Sequence, residues 1–393
     1  MWRPLNLFIV TIISLLFLLA FSQLAFNSFY IACLTRWSSE WSEKKLGLPT
    51  SVAEQLVLRA RNRALLYDGL IEKNHLVGGL VVNRGRDHEI LDECDSLLFS
   101  SVRWVSLRKF GWEERSLRAL DSLRKAQVEG DWIRHPECPD RVLSRDMLMG
   151  VLIVLSQYPA NFVEDLGRLI SRIDLGGGYF SNGPSYVSYL TPGLGKIIRM
   201  LANTAKTDFG EIPIVIKDGY STNEWSLLVM KPGYEAHLAG LSLWLEIEIG
   251  KASESAEYLR FWEHVTSGLI RVFSGKDPFR QVHQWGALRL LQVDSRNLFF
   301  RYLWFRSIGA LNGKVASQLL AELLSMPQFP QDRLPDSCDR SADFLWQRRS
   351  DEYDEINPSC HRRFSGTDFL WMASLLVEAI EADQNIHLAG PVR

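Results

Sequence analysis

Between Gly130 and Met149 the chain reads GDWIRHPECPDRVLSRDMLM, which gathers Asp131, Trp132, Arg134 and His135 ahead of a helix start at Ser144-Arg145-Asp146. Carboxylates, a planar cation, an imidazole and an aromatic platform are the groups that hold a polyhydroxylated or anionic ligand and move its protons. Trp132 would stack on a sugar ring, while Arg134 and His135 would bind a carboxylate or hydroxyl group. The same composition also suits a solvated loop leading into a helix. An acidic residue in a first turn, such as Asp146, stabilises the helix dipole by a few tenths to about 1 kcal/mol whatever else it does.

The elements that must position these groups are helices. From about Ser51 onward apolar residues recur at i, i+3, i+4 and i+7, with almost no sustained period-two alternation. Helix starts are marked by Thr50-Ser51, Asp92, Ser144 and Thr367, each ahead of an apolar-periodic run. Two short runs read as strands or buried extended loops, LVGGLVV at 76–82 and IPIVI at 212–216. Six segments share one style, a polar or turn-forming start followed by apolar residues with Ser, Gly or Ala interspersed. They begin at Asp95, Asp146, Pro192, Glu235, Gln281 and Asp368. Their starts are roughly 45 to 50 residues apart, one helical hairpin each. The last is delayed by a polar insert, 327–366. More charged partners lie between them, such as EERSLRALDSLRKAQ and ESAEYLRFWEHVTSGLIRVF.

This alternation resembles the (α/α)6 toroid of several glycoside hydrolase and polysaccharide lyase families. The resemblance covers roughly Ser51 to Ala382 and is one of layout, without a matching catalytic motif. It implies an all-α domain with two concentric rings of helices, in which polar residues at the starts of the inner helices converge on a funnel. An irregular bundle or a solenoid would show the same helix count. Under the toroid layout the catalytic candidates are Asp95, Asp131, Asp146 and His135. The substrate-binding candidates are Asp92, Trp132, Arg134, Arg145, Tyr179, Tyr220, His237 and Trp285, with His283 and Asp368 at the starts of the last two inner segments. Glycoside hydrolysis needs two carboxylates flanking one bond. A lyase needs a base, such as His135, His237 or Tyr179, and a cation to neutralise a uronate, such as Arg134 or Arg145. The run GGGYFSNGPSY at 176–186 reads as a flexible, aromatic substrate-lining loop.

Ahead of this domain, Leu5 to Leu34 is nearly uncharged, with LFIVTIISLLFLLAF at its centre. It supplies the roughly 20 apolar residues that cross a bilayer. Tyr30, Trp37 and Trp41 follow, where an aromatic belt would lie. A cleaved signal peptide competes, since Ala20-Phe21-Ser22 resembles a cleavage site, but the apolar run continues past it. The expected organisation is an N-terminal transmembrane helix within 1–35, a linker 36–50, and a helical domain 51–385 placed outside the cytoplasm. The lipid bilayer, met through residues 5–34, and a glycan are the expected partners.

The 44 basic and 46 acidic residues nearly cancel, which gives no reason to expect nucleic-acid binding. No nucleotide loop, GxSxG or HExxH occurs, and the five cysteines form no CxxC, so neither a cofactor nor a metal is expected. In an oxidising compartment Cys338 and Cys360 would close a disulfide around the polar insert. The expected function is a membrane-anchored carbohydrate-active enzyme, glycosidase or polysaccharide lyase, of envelope or exopolysaccharide metabolism. The alternative is a non-catalytic membrane-anchored scaffold or a glycan- or peptide-binding protein.

Overall fold

A computed structural model of the chain describes residues 50–85, 87–90, 96–128, 131–137, 143–157, 162–182, 187–206, 213, 234–250, 278–325, 362–363 and 365–384. These are mostly helical, as the periodicity requires. Eleven helices and a few two- to four-residue strands are present among the described residues. In chain order the helices are α1 (Thr50–Asn74), α2 (Leu97–Lys109), α3 (Glu113–Arg124), α4 (Arg145–Gln157), α5 (Val163–Leu175) and α6 (Pro192–Thr204). They continue with α7 (Tyr234–Gly250), α8 (Pro278–Val293), α9 (Leu298–Ser307), α10 (Gly313–Ser325) and α11 (Thr367–Gln384).

A helix that is apolar all round must be buried all round, whereas one with a single apolar stripe lies at the surface. Both kinds occur. Every residue from Leu97 to Leu107 in α2, from Met147 to Leu155 in α4 and from Thr367 to Val377 in α11 is buried. The same holds for most of α7 and α9. By contrast α5 buries only Leu166, Leu169, Ile170 and Ile173, and α3 only Ser116, Ala119 and Leu123. The fully buried helices meet at Trp244 of α7 and Trp371 of α11, whose rings pack edge to face at 4.6 Å, with Phe299 of α9 against Trp371 at 6.3 Å. Close approach between two of them depends on a glycine. A Cβ at Gly150 in α4 would stand 2.8 Å from the backbone of Leu97 and Leu98 at the start of α2.

The packing order runs from α2 to α4, α4 to α7, α7 to α9, α9 to α10, α10 to α11 and α11 back to α2. The partners α1 and α3 pack on α11 and α2 respectively, and α6 lies between α4 and α7.

Several expectations change in detail. The helix expected from Asp92 begins at Leu97, and the hydroxyl of Ser96 ahead of it donates to the Arg134 carbonyl at 2.8 Å in place of capping it. LVGGLVV is a hairpin: β1 (Leu76–Val77) pairs antiparallel with β2 (Leu80–Val81). Gly78 and Gly79 both take positive φ, 56° and 90°, which a two-residue turn of this hand requires. Part of the glycine-rich run forms a second hairpin, β6 (Tyr179–Asn182) with β7 (Val187–Tyr189), bulged near Phe180. From the polar insert, Arg362–Arg363 (β8) pairs with Arg84–Gly85 (β3). The buried helix α9 was not among the six expected inner segments. It follows the segment from Gln281, whose own helix α8 is half exposed in its last turn.

The apolar run 5–34, the linker, IPIVI apart from Pro213, ESAEYLRFWEHVTSGLIRVF and all five cysteines lie outside the described residues. Among the described residues no helix is long and apolar enough to cross a membrane.

Candidate functional site

The loop leading into α4 is held by its own polar groups. His135 is fully buried, with its Nε2–H donating to the Val77 carbonyl at 3.0 Å and its Nδ1 accepting from the Glu137 amide at 3.1 Å. Both ring nitrogens are therefore spent on fixing the loop to the β1–β2 hairpin, and the neutral tautomer satisfies both. Trp132 is buried, so its face is not a platform for a sugar. Together with Asp131 it forms the short strand β5 (Asp131–Trp132), paired with β4 (Gln127–Val128). Arg134 is buried beside the Ser96 contact.

Asp131 is half exposed and pairs with Arg172 of α5 at 3.2 Å. The recess they share with Trp132, Leu143, Leu169 and Phe180 is too narrow for a water molecule, and His135, Arg145 and Asp146 do not line it. Asp146 sits in the first turn of α4 and accepts a short hydrogen bond from the Ser144 hydroxyl. An acidic side chain in that first turn also stabilises the helix dipole.

The structure does bring together Arg145, Tyr179 and Tyr189. The Arg145 guanidinium lies 5.8 Å from the centre of the Tyr189 ring, and Tyr189 meets Tyr179 edge on at 6.3 Å across the β6–β7 hairpin. All three are half-buried. The three form a rim in which a cation lies over an aromatic face with a second phenol beside it.

Two residues after Tyr189 the hairpin feeds α6. Thr191 caps it by accepting from the Leu194 amide, and Pro192 opens the first turn with its pre-set φ. Lys196 follows one turn on. Its Nζ donates to Glu246 Oε2 of α7 at 3.0 Å, and His283 of α8 places Nε2 3.3 Å from that same oxygen. One carboxylate oxygen of α7 thus takes an ammonium from α6 and an imidazole from α8. All three side chains are buried: Lys196 and His283 keep 7% and 6% of their surface and Glu246 keeps 1%. Burial pushes the Glu246 carboxyl up, but the Lys196 charge and the His283 hydrogen bond outweigh it and hold it below its ordinary 4.5. The carboxylate is therefore ionised and fixes the His283 tautomer with Nε2–H toward it.

Of the other expected site residues, His237 is buried and accepts from Asn297 Nδ2 at 3.2 Å, while Asn297 Oδ1 caps α9 at the amides of Phe299 and Phe300. That is a tie between α7 and α9. Asp368 is buried, with its Oδ1 accepting from the Phe369 amide at 2.8 Å. Asp92, Asp95 and Tyr220 lie outside the described residues, as does the side chain of Trp285 in α8. Among the described residues no three His, Cys, Asp or Glu side chains are grouped to hold a metal ion.

Lys196 and Glu246 were not among the residues picked from the sequence, although each carries a signal. PGLGKIIRML and LSLWLEIEIG each set two charges, Lys196 with Arg199 and Glu246 with Glu248, in a largely apolar run. A charge there must be paired inside the fold. Comparison of the chain with protein-family models, curated proteins and solved structures returns no match.

Proposed function

We propose that the protein is a membrane-anchored carbohydrate-active enzyme of envelope or exopolysaccharide metabolism, with Lys196, Glu246 and His283 as its acid–base centre. The observation that carries this reading is the convergence of two proton-labile groups on one buried carboxylate oxygen. A buried ion cluster seldom improves stability over a packed apolar one, and perturbed ionisable groups gather where chemistry is done. The toroid-like layout adds support, since the packing order of the buried helices returns from α11 to α2.

The residue set suits elimination better than hydrolysis. Two-carboxylate hydrolysis needs a second acid opposite Glu246, whereas elimination needs a base, a cation and a proton donor. In this reading His283 is the base that takes the proton beside a uronate carboxylate, and Lys196 or Arg145 stabilises the charge that builds on that carboxylate. The electron pair forms the carbon–carbon double bond as the neighbouring carbon–oxygen bond breaks. The leaving oxygen takes up a proton, for which Tyr179 is the nearest type of donor in the rim.

A non-catalytic scaffold or glycan- or peptide-binding protein is the second reading. It is favoured by how little of the cluster reaches the surface.

Incubating the full-length protein with neutral and uronate-bearing glycans tests the choice. Ultraviolet absorbance of an unsaturated sugar marks elimination, and new reducing ends without that absorbance mark hydrolysis. Loss of either signal in His283→Gln supports the assignment. Binding without any product supports the scaffold.

A further inference from the structure

The helix α1 buries Ala53, Val57, Ala60, Ala64 and Ile71 against α10 and α11, which accounts for one face. The opposite face is apolar as well. Leu58, Leu65 and Leu66 are 48%, 42% and 45% exposed. With Asn62, Gly69 and Leu70 they follow the helical repeat, and Leu65, Leu66, Asn62, Gly69 and Leu70 line an open groove of about 410 Å³. A Cβ built at Gly69 meets nothing within 4 Å. Leucine on a solvated face is a standing cost, and nothing in the packing of the described residues asks for it.

We propose that this face of α1 docks on the surface of the lipid bilayer. The inference rests on the reading of residues 5–34 as a membrane segment, and three observations select a bilayer as the occupant. First, only residues 35–49 separate that segment from α1, so the linker reaches at most about 50 Å even when fully extended. Second, exposed Arg59 and Lys73 lie on α1 beside the leucines, which suits anionic headgroups; Glu54, near the start of α1, is the one acidic residue among its exposed positions.

Third, the patch is small. Three half-exposed leucines and their neighbours offer at most a few hundred Å², against roughly 800 Å² per partner for a stable protein interface. A second copy of the chain would be held weakly by so little. Docking of a tethered domain is intramolecular, and a modest patch suffices because the tether supplies the effective concentration. The docked state would hold the domain in a fixed orientation on the membrane, with α1 underneath.

The test reconstitutes the full-length protein into vesicles of phosphatidylcholine and phosphatidylserine carrying a photoactivatable acyl chain, and maps the labelled peptides. Label in both 5–34 and the α1 stretch 58–70 is the expected result. In Leu65→Asp/Leu66→Asp, and independently in Leu58→Asp, the α1 label falls about tenfold or more while the 5–34 label stays. Unchanged thermal melting shows that these exposed positions leave the fold intact. Label in 5–34 with none in α1 overturns the docking proposal alone. A dimer in detergent that the leucine variants dissolve, again with α1 unlabelled, overturns it in favour of a second copy. Absence of label from 5–34 removes the membrane reading itself, and the docking with it.

Discussion

Among the described residues, two of the buried charge clusters that tie helices together differ in their chemistry. In the first, Asp68 of α1 is fully buried and accepts from Arg103 Nε of α2 at 2.7 Å and from Arg115 of α3, while Glu72 takes Arg103 at 3.1 Å and Arg115 at 3.2 Å. In the second, Glu246 takes Lys196 and His283. Guanidinium groups keep their protons at any working pH and fix carboxylates through a planar fork, so the first cluster is a clamp. Ammonium and imidazole groups exchange protons, so the second can do work that the first cannot. Burial of charge alone therefore does not identify a site. The proton lability of its members does.

The comparison is broken most severely by removing the carboxylates. Glu246→Ala leaves the Lys196 ammonium buried without its carboxylate, at a cost of roughly 3–5 kcal/mol. Chemical denaturation reads that loss directly. Asp68→Ala should cost about 3 kcal/mol, at the low end of the same range, because Glu72 remains to pair with both arginines. The difference sharpens in turnover per folded molecule, which Asp68→Ala leaves at the parent level and Glu246→Ala abolishes.

A smaller effect is expected at His135. Replacing it by Leu strands the Val77 carbonyl and costs about 1–3 kcal/mol, again without changing turnover per folded molecule. Reduced turnover at undiminished stability would return His135 to the candidate site.

The smallest effects are in pH dependence. The Glu246 carboxyl is held below its ordinary 4.5, so its contribution to stability is full above 4.5 and is lost as pH falls through the lower folded-state value. Melting temperature should fall on that limb, and Lys196→Met/Glu246→Leu should flatten it. At the other end, burial raises the Tyr302 phenol above its ordinary 10.0, despite the pull of Arg306 in the other direction. The proton that Tyr302 keeps when folded favours the native state below pH 10, and that advantage is lost as pH rises beyond it. Tyr302→Phe should weaken this alkaline limb.

Periodicity alone located most helices, because an apolar stripe or an all-apolar run can be read without knowing its partner. The start of α2 was misplaced, and the hydroxyl of Ser96 ahead of it goes to Arg134, a contact 38 residues away that no local pattern records. The loop at 130–149 was legible as a collection of side chains. Its use was not, since His135 and Trp132 look alike in sequence whether they face a ligand or a hairpin. Lys196 and Glu246 were visible as misplaced charges, but their meeting is set by the packing of α6 on α7.

In the proposed function the Lys196–Glu246–His283 cluster serves chemistry and not stability. Replacing the pair by apolar residues, as in Lys196→Met/Glu246→Leu, removes both charges together and should leave stability near the parent's or above it. Glycan turnover by this folded double variant is the direct measurement. The account predicts a parent-like melting temperature with no product formed. A folded double variant that still turns over glycan at the parent rate would contradict it.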